Sequence, residues 1–120
     1  MQIRHTGLTA GLNANQEGIN MAGNRKGSRR ERELIDKLTK EGYIVHRVAA
    51  SGAKNEAVCD LVAVKEGVPY FIECKARKKA YYPNENKEQL KKLAQIANSC
   101  RAIPLLAIKL DRKEWEIKEL

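Results

Sequence analysis

The stretch VCDLVAVKEGVPYFIECKAR, residues 58–77, constrains the fold more than any other segment. Two apolar, β-branched runs flank Glu66-Gly67, a dipeptide suited to a two-residue hairpin turn. Antiparallel strands follow, and their register matters, because a one-residue slip would exchange the two faces. With Lys65 facing Val68, counting outward sets Asp60 opposite Glu73, at a Cα separation of roughly 4.5–5.5 Å. Side chains alternate along a strand, so Lys75 shares the face of Glu73. Cys59 and Cys74 pair on the opposite face as small apolar packers. Charge inside apolar strands is costly unless it is paired or holds a cation. Two facing carboxylates repel, and a divalent cation between them removes the repulsion. Mg²⁺ suits such a pair, since it takes one or two carboxylates and keeps waters and phosphate oxygens as its other ligands. Lys75 is then placed to orient a water or to neutralise charge developing on a phosphate.

Net charge indicates what such a site would act on. The 120 residues carry 23 Lys plus Arg against 15 Asp plus Glu, a formal +8. This excess favours a polyanion, nucleic acid first and an anionic membrane second. No apolar run approaches the roughly 20 residues of a membrane span, and the N-terminus has no secretory apolar region. Cys59, Cys74 and Cys100 show no C-x-x-C spacing, which argues against a zinc ribbon or a disulfide framework. His5 and His46 stand apart, and neither Gly-rich phosphate-loop pattern occurs. An intracellular protein with reduced thiols, cytoplasmic or nucleoid-associated, is expected.

Along the chain, residues 1–24 are rich in Gly, Asn and Thr and read as a flexible N-terminal leader, with Met21 an alternative start. Residues 25–120 form the expected folded domain. A helix is predicted from Ser28, where Ser28 and Glu31 make a capping-box pattern. Gly42 ends it. A strand follows over 43–49, then a loop over 50–57, the hairpin, and a basic Tyr-bearing loop over 78–88. Asn84, after Pro83, is the expected cap of a second helix, whose buried stripe is Leu90, Leu93, Ala94 and Ala97. Ile96 lies off that stripe by roughly 110° or more, as scattered exposure or part of a partner surface. Strands over 102–110 and within 114–120 complete the order α-β-β-β-α-β-β, a small α/β domain.

The first helix separates two glutamates. At about 100° per residue, Glu31 falls within the arc of Leu34, Ile35 and Leu38, whereas Glu33 points roughly 160° away from its centre. Glu31 is aimed at the sheet and is either a third carboxylate of the metal site or only a capping-box glutamate.

At these residues the chain resembles the PD-(D/E)xK nuclease superfamily: Asp60 is followed thirteen positions later by Glu73-Cys74-Lys75. The surrounding segments RKGSRRERELIDKLTKEGYIVHRVAASG, DLVAVKEGVPYFIECKARKK and IPLLAIKL are similar to the archaeal-type Holliday junction resolvases, Hjc. The resemblance covers roughly residues 25–118. It implies a restriction-endonuclease-like core, with a central mixed sheet of about five strands flanked by helices. It also implies a homodimeric, Mg²⁺-dependent endonuclease, with Mn²⁺ able to substitute, that cuts two opposed strands of four-way junction DNA and leaves a 5′-phosphate. On this resemblance the catalytic residues are Glu31, Ser51, Asp60, Glu73 and Lys75, and the metal ligands are Glu31, Asp60 and Glu73. Arg32 and Arg47 match basic family positions near DNA. The runs RKGSRRER and KARKK flank the proposed site, so DNA contacts are expected from Arg29, Arg30, Arg32, Arg47, Lys54, Arg77, Lys78 and Lys79.

Two other readings remain open at this stage. One keeps the fold and gives it duplex or flap DNA, as a repair or restriction-like nuclease, because fold does not fix substrate. The other is a basic DNA-binding module without catalysis, against which the intact carboxylate–lysine pattern argues.

Overall fold

In the computed structural model the described residues are 25–49 and 58–120, with the side chains of 25–28 left aside. The leader expected over 1–24, the loop over 50–57, Ser51 and Lys54 lie outside them.

Helix α1 spans Arg25–Lys40, followed by β1 (Ile44–Arg47), β2 (Leu61–Lys65) and β3 (Val68–Arg77). A short 3₁₀ turn at Pro83–Asn86 leads into α2 (Lys87–Ser99), then β4 (Ile103–Leu110) and β5 (Glu116–Glu119). The α-β-β-β-α-β-β order expected from sequence is therefore present. The strands form one mixed sheet in the order β1-β2-β3-β4-β5, in which only β3 and β4 run parallel. Helix α2 makes the crossover between those two, as parallel neighbours require.

The hairpin turn is Glu66-Gly67, with φ of 52° and 83°, and two successive positive φ values are the signature of a two-residue type I′ turn. Lys65 faces Val68 and Leu61 faces Ile72, the register counted from the sequence. Pro69 is tolerated in β3 because it stands opposite Val64 at a non-hydrogen-bonded position. Its ring nitrogen thus faces away from β2, and the β4 ladder begins only at Tyr70.

Alternation along β3 and β4 divides the core in two. Leu34 and Leu38 of α1 pack with Val45, Leu61, Ala63, Ile72 and Ala107 on one face. On the other, Leu90 of α2 packs with Tyr81, Leu106 and Ile108. Leu93 and Ala97 are also buried, as the α2 stripe requires, and Ile96 is half-buried.

Two helix starts differ from the sequence reading. Helix α1 begins at Arg25, so Ser28 lies inside it and is not its cap. Asn84 is taken up in the 3₁₀ turn, and the residue before α2 is Asn86, which makes no capping hydrogen bond from its side chain. The Asn86 side chain instead accepts a hydrogen bond from the Tyr81 hydroxyl at 2.9 Å, which ties the helix start to the second core.

Candidate active site

Strand β3 has ten residues and β2 five, so beyond Ile72 the β2-facing edge of β3 has no ladder partner from that strand. Asp60 stands at this break. Its N–H donates to the Ile72 carbonyl at 3.0 Å, the residue already paired with Leu61. Two residues thus oppose one, a bulge that ends the ladder and re-aims a side chain. The Asp60 carboxylate consequently accepts the Cys74 N–H at 2.9 Å. The sequence expectation of a direct Asp60–Glu73 ladder pair is modified here: the ladder stops one residue earlier, yet the two carboxyls still come within hydrogen-bonding reach.

Among the described residues, Glu73 is the one charged residue of the buried set, at 4% exposure. Its Oε2 meets Lys75 Nζ at 3.3 Å, so the two share a face as alternation demands. Gln89, from the first turn of α2, donates through Nε2 to the same Oε2 at 3.0 Å and accepts from Lys75 Nζ through Oε1 at 3.1 Å. Burial, and then the charge of Asp60, pushes the Glu73 carboxyl up to about 7, against the pull of Lys75 and Gln89. Burial also raises Asp60, opposed by the Cys74 N–H and then by Lys75. Two neighbouring acids that both resist ionisation mark a place where positive charge is favoured.

Glu31 reaches the same end of the sheet from α1. Its Oε1 accepts from Arg47 Nε of β1 at 2.7 Å. Burial raises its carboxyl first and Asp60 second, while Arg47 lowers it. Glu33 is turned away, paired with Arg30 at 3.0 Å on a more exposed surface. The helical phase read from the sequence therefore holds for both glutamates.

Asp60 and Glu73 fit a hard divalent cation. Both are oxygen donors, they lie side by side, and the Asp60 charge disfavours ionisation of Glu73. Among the described residues, no group of three or more His, Cys, Asp and Glu side chains is arranged to hold a metal ion as it stands. Glu31 is held by its ion pair with Arg47, while the Asp60 charge still acts on its carboxyl.

The basic residues divide by what they touch. Arg29, Arg32, Lys78 and Lys79 are exposed. Arg30 pairs with Glu33 and lies 3.5 Å from Asp111. Arg77 pairs with Glu85 at 3.1 Å and stacks over Tyr81 at 5.3 Å from its ring centroid. Asp111, in the β4–β5 turn, also donates its N–H to the Lys78 carbonyl. That turn thus links the start of α1 to the segment that follows β3. The thiols contribute no second pair: Cys59, Cys74 and Cys100 are all free, and burial pushes Cys59 up to about 11 and raises Cys74 as well. Gln89 is the site residue that sequence reasoning missed.

The family model for archaeal Holliday junction resolvase (hjc) matches residues 22–120. Among curated proteins, the crossover junction endodeoxyribonuclease Hjc of Sulfolobus acidocaldarius is 39% identical over 79 residues, covering 62% of this chain and 55% of the relative. The Archaeoglobus fulgidus protein of the same name is 37% identical over 92 residues, covering 75% of this chain and 65% of the relative. The solved structure of A. fulgidus Hjc superposes with a TM-score of 0.62 at 33% identity, covering 77% of this chain and 75% of that one. The chain spans less than two thirds of the length of both curated relatives. With its mixed five-stranded sheet, and with a family match over nearly all of its length, this chain belongs to the archaeal Holliday junction resolvase (Hjc) family.

Proposed function

We propose that this protein is a metal-dependent endonuclease that resolves four-way DNA junctions as a homodimer, with Mg²⁺ as its ion and Mn²⁺ as a substitute. The observation that carries the reading is the pair that buried Glu73 makes with Lys75 beside the Asp60 carboxylate, at the edge of β3 that β2 leaves open. A structural strand has no need of such a group, and the family's relatives are named as crossover junction endodeoxyribonucleases. Asp60 and Glu73 would hold the ion, with Glu31 as the third carboxylate. A divalent ion bound there would polarise the scissile phosphate and acidify a water. Lys75 directs its ammonium over the same carboxylate, where it can donate to charge building on a phosphate oxygen. Arg29, Arg32, Arg47, Lys54, Lys78 and Lys79 supply phosphate contacts, and Ser51 is the remaining catalytic residue of the proposal. Residues 25–120 are the nuclease domain in this reading. Among the described residues no helix is long and apolar enough to cross a membrane.

Substrate choice is tested by offering a labelled four-way junction beside its component duplexes. Preferential cutting of the junction is expected, whereas equal cutting would move the protein to the duplex or flap class. A dimer suits a nearly two-fold substrate, since each subunit then serves one strand. Sedimentation equilibrium at micromolar protein should show it, and a monomer that cuts both strands in one encounter would remove the paired-site scheme.

Glu31→Gln should slow single-turnover cleavage by roughly tenfold or more, the scale of losing a metal-site group. Glu33→Gln should change it by less than about twofold, because exposed ion pairs are worth little. Equal losses from the two would contradict the assignment. Binding should also weaken steeply with salt. For about six phosphate contacts, the affinity falls roughly 10³-fold between 50 and 200 mM. Arg32→Ala and Arg47→Ala should each weaken junction binding and lower the salt slope by about one. A flat salt response would leave the net charge without a role in binding.

A further inference from the structure

We infer that Gln89 is a positioning residue, whose side-chain amide holds Glu73 and Lys75 in their working arrangement from the opposite side of the active site. The inference rests on the nuclease reading above and extends it to a residue outside the Asp60, Glu73 and Lys75 pattern.

A side-chain amide carries a donor and an acceptor on one carbon, and Gln89 uses both. Its Nε2 donates to Glu73 Oε2 at 3.0 Å, and its Oε1 accepts from Lys75 Nζ at 3.1 Å. Lys75 itself touches the same Glu73 oxygen at 3.3 Å. The three groups close a ring of hydrogen bonds in which neither charged side chain can swing without breaking a contact. Both protein contacts made to the carboxylate in this ring fall on Oε2, so the ring makes no demand on Oε1. Glu73 is fixed by the sheet, and Gln89 is fixed by α2. The neighbouring Leu90 is buried in the second core, and the Tyr81–Asn86 bond anchors the turn just before the helix. The ring thus spans two rigid elements, the arrangement that holds a functional group to a narrow range of positions.

Chemistry supports the choice of an amide. Glutamate at this position would keep the acceptor toward Lys75 but set a third carboxylate against Glu73 and Asp60. Lysine would satisfy Glu73 and repel Lys75. Of these three, glutamine alone satisfies an acceptor and a donor together without adding charge. Groups that hold a metal-binding carboxylate by hydrogen bonding typically change metal affinity or activity by about 10–100-fold when removed.

Gln89 is itself exposed, so replacing it leaves the core intact. The test compares the full-length protein with Gln89→Met, which keeps the length and loses both hydrogen bonds, and with Gln89→Glu, which keeps only the acceptor. Three quantities are read: single-turnover cleavage of a four-way junction, the Kd for that junction in chelator, and Mn²⁺ affinity of the DNA-free protein by calorimetry. Gln89→Met should slow cleavage by roughly 10–100-fold and weaken Mn²⁺ by about tenfold. Its junction Kd and thermal midpoint should stay at wild-type values, which a merely structural loss would not allow. Gln89→Glu should cut no faster than Gln89→Met. If Gln89→Met cuts and binds Mn²⁺ like wild type while Glu73→Gln is inactive, Gln89 has no positioning role and the nuclease reading stands. A wild-type protein that neither cuts nor binds Mn²⁺ overturns both. A Gln89→Met protein with a lowered thermal midpoint and an altered junction Kd overturns the positioning role in favour of a structural one.

Discussion

Glu73→Gln should abolish junction cleavage while leaving junction binding intact, and Asp60→Asn should do the same. Each change removes one anionic oxygen from the pair proposed to hold the ion, and metal charge stabilisation contributes several kcal/mol to hydrolysis of this kind. At about 1.4 kcal/mol per tenfold, the loss amounts to roughly 10²–10⁴ in rate. Binding survives because removing negative charge beside a polyanion lowers repulsion. The two variants fail for different local reasons. Glu73 loses the carboxylate that Lys75 and Gln89 share, whereas Asp60 loses the charge on its bond to the Cys74 N–H. The amide oxygen of Asp60→Asn can still accept that N–H, and burial already disfavours the Asp60 charge, so neither variant should lower stability much. Quench-flow cleavage rates, together with gel-shift binding in chelator, distinguish these outcomes. Near-normal cutting by either variant would remove the proposed metal site.

The metal-free protein should become less stable as pH rises, an unusual direction for a chain acting through carboxylates. Burial and Asp60 raise the Glu73 carboxyl from the ordinary 4.5 to about 7 in the folded protein. The fold therefore prefers the neutral acid. The stability this provides is complete below about pH 4.5 and is lost as pH climbs through about 7. Between pH 5.5 and pH 8 the loss is on the order of 2 kcal/mol, worth about 10 °C in a domain of roughly 100 residues. A divalent ion supplies the missing positive charge, so Mg²⁺ or Mn²⁺ should raise the midpoint more at pH 8 than at pH 5.5. Glu73→Gln keeps a neutral group at every pH and should flatten the profile, so that in chelator at pH 8 it is more stable than wild type. Thermal melts at the two pH values check this, and parallel profiles for wild type and Glu73→Gln would contradict it.

Much of the site was legible because strand and helix periods are rigid rules. A two-residue turn at Glu66-Gly67 fixed the count that brings Asp60 toward Glu73, and alternation put Lys75 beside Glu73. The helical period separated Glu31 from Glu33. The bulge at Asp60 was not legible, because no Gly or Pro marks it. It arises where β3 outruns β2, a property of the two lengths together. Gln89 was invisible for another reason. It sits on the exposed side of an amphipathic helix, and only the packing of α2 against β3 and β4 brings it to the carboxylate. The Glu31–Arg47 pair likewise depends on how α1 lies over β1. Helix starts shifted by two or three residues because local caps compete: the Pro83–Asn86 turn consumed the expected Asn84 cap, and α1 ran back through Ser28 to Arg25.

The most direct measurement is the cleavage of a strand-labelled four-way junction by the wild-type protein, in chelator and in Mg²⁺, run beside Asp60→Asn. The expected result is no cutting in chelator, paired cuts on two opposed strands in Mg²⁺, and none by Asp60→Asn in either. Cutting that persists in chelator, or a variant that cuts as fast as wild type in Mg²⁺, would contradict a nuclease site built on Asp60 and Glu73.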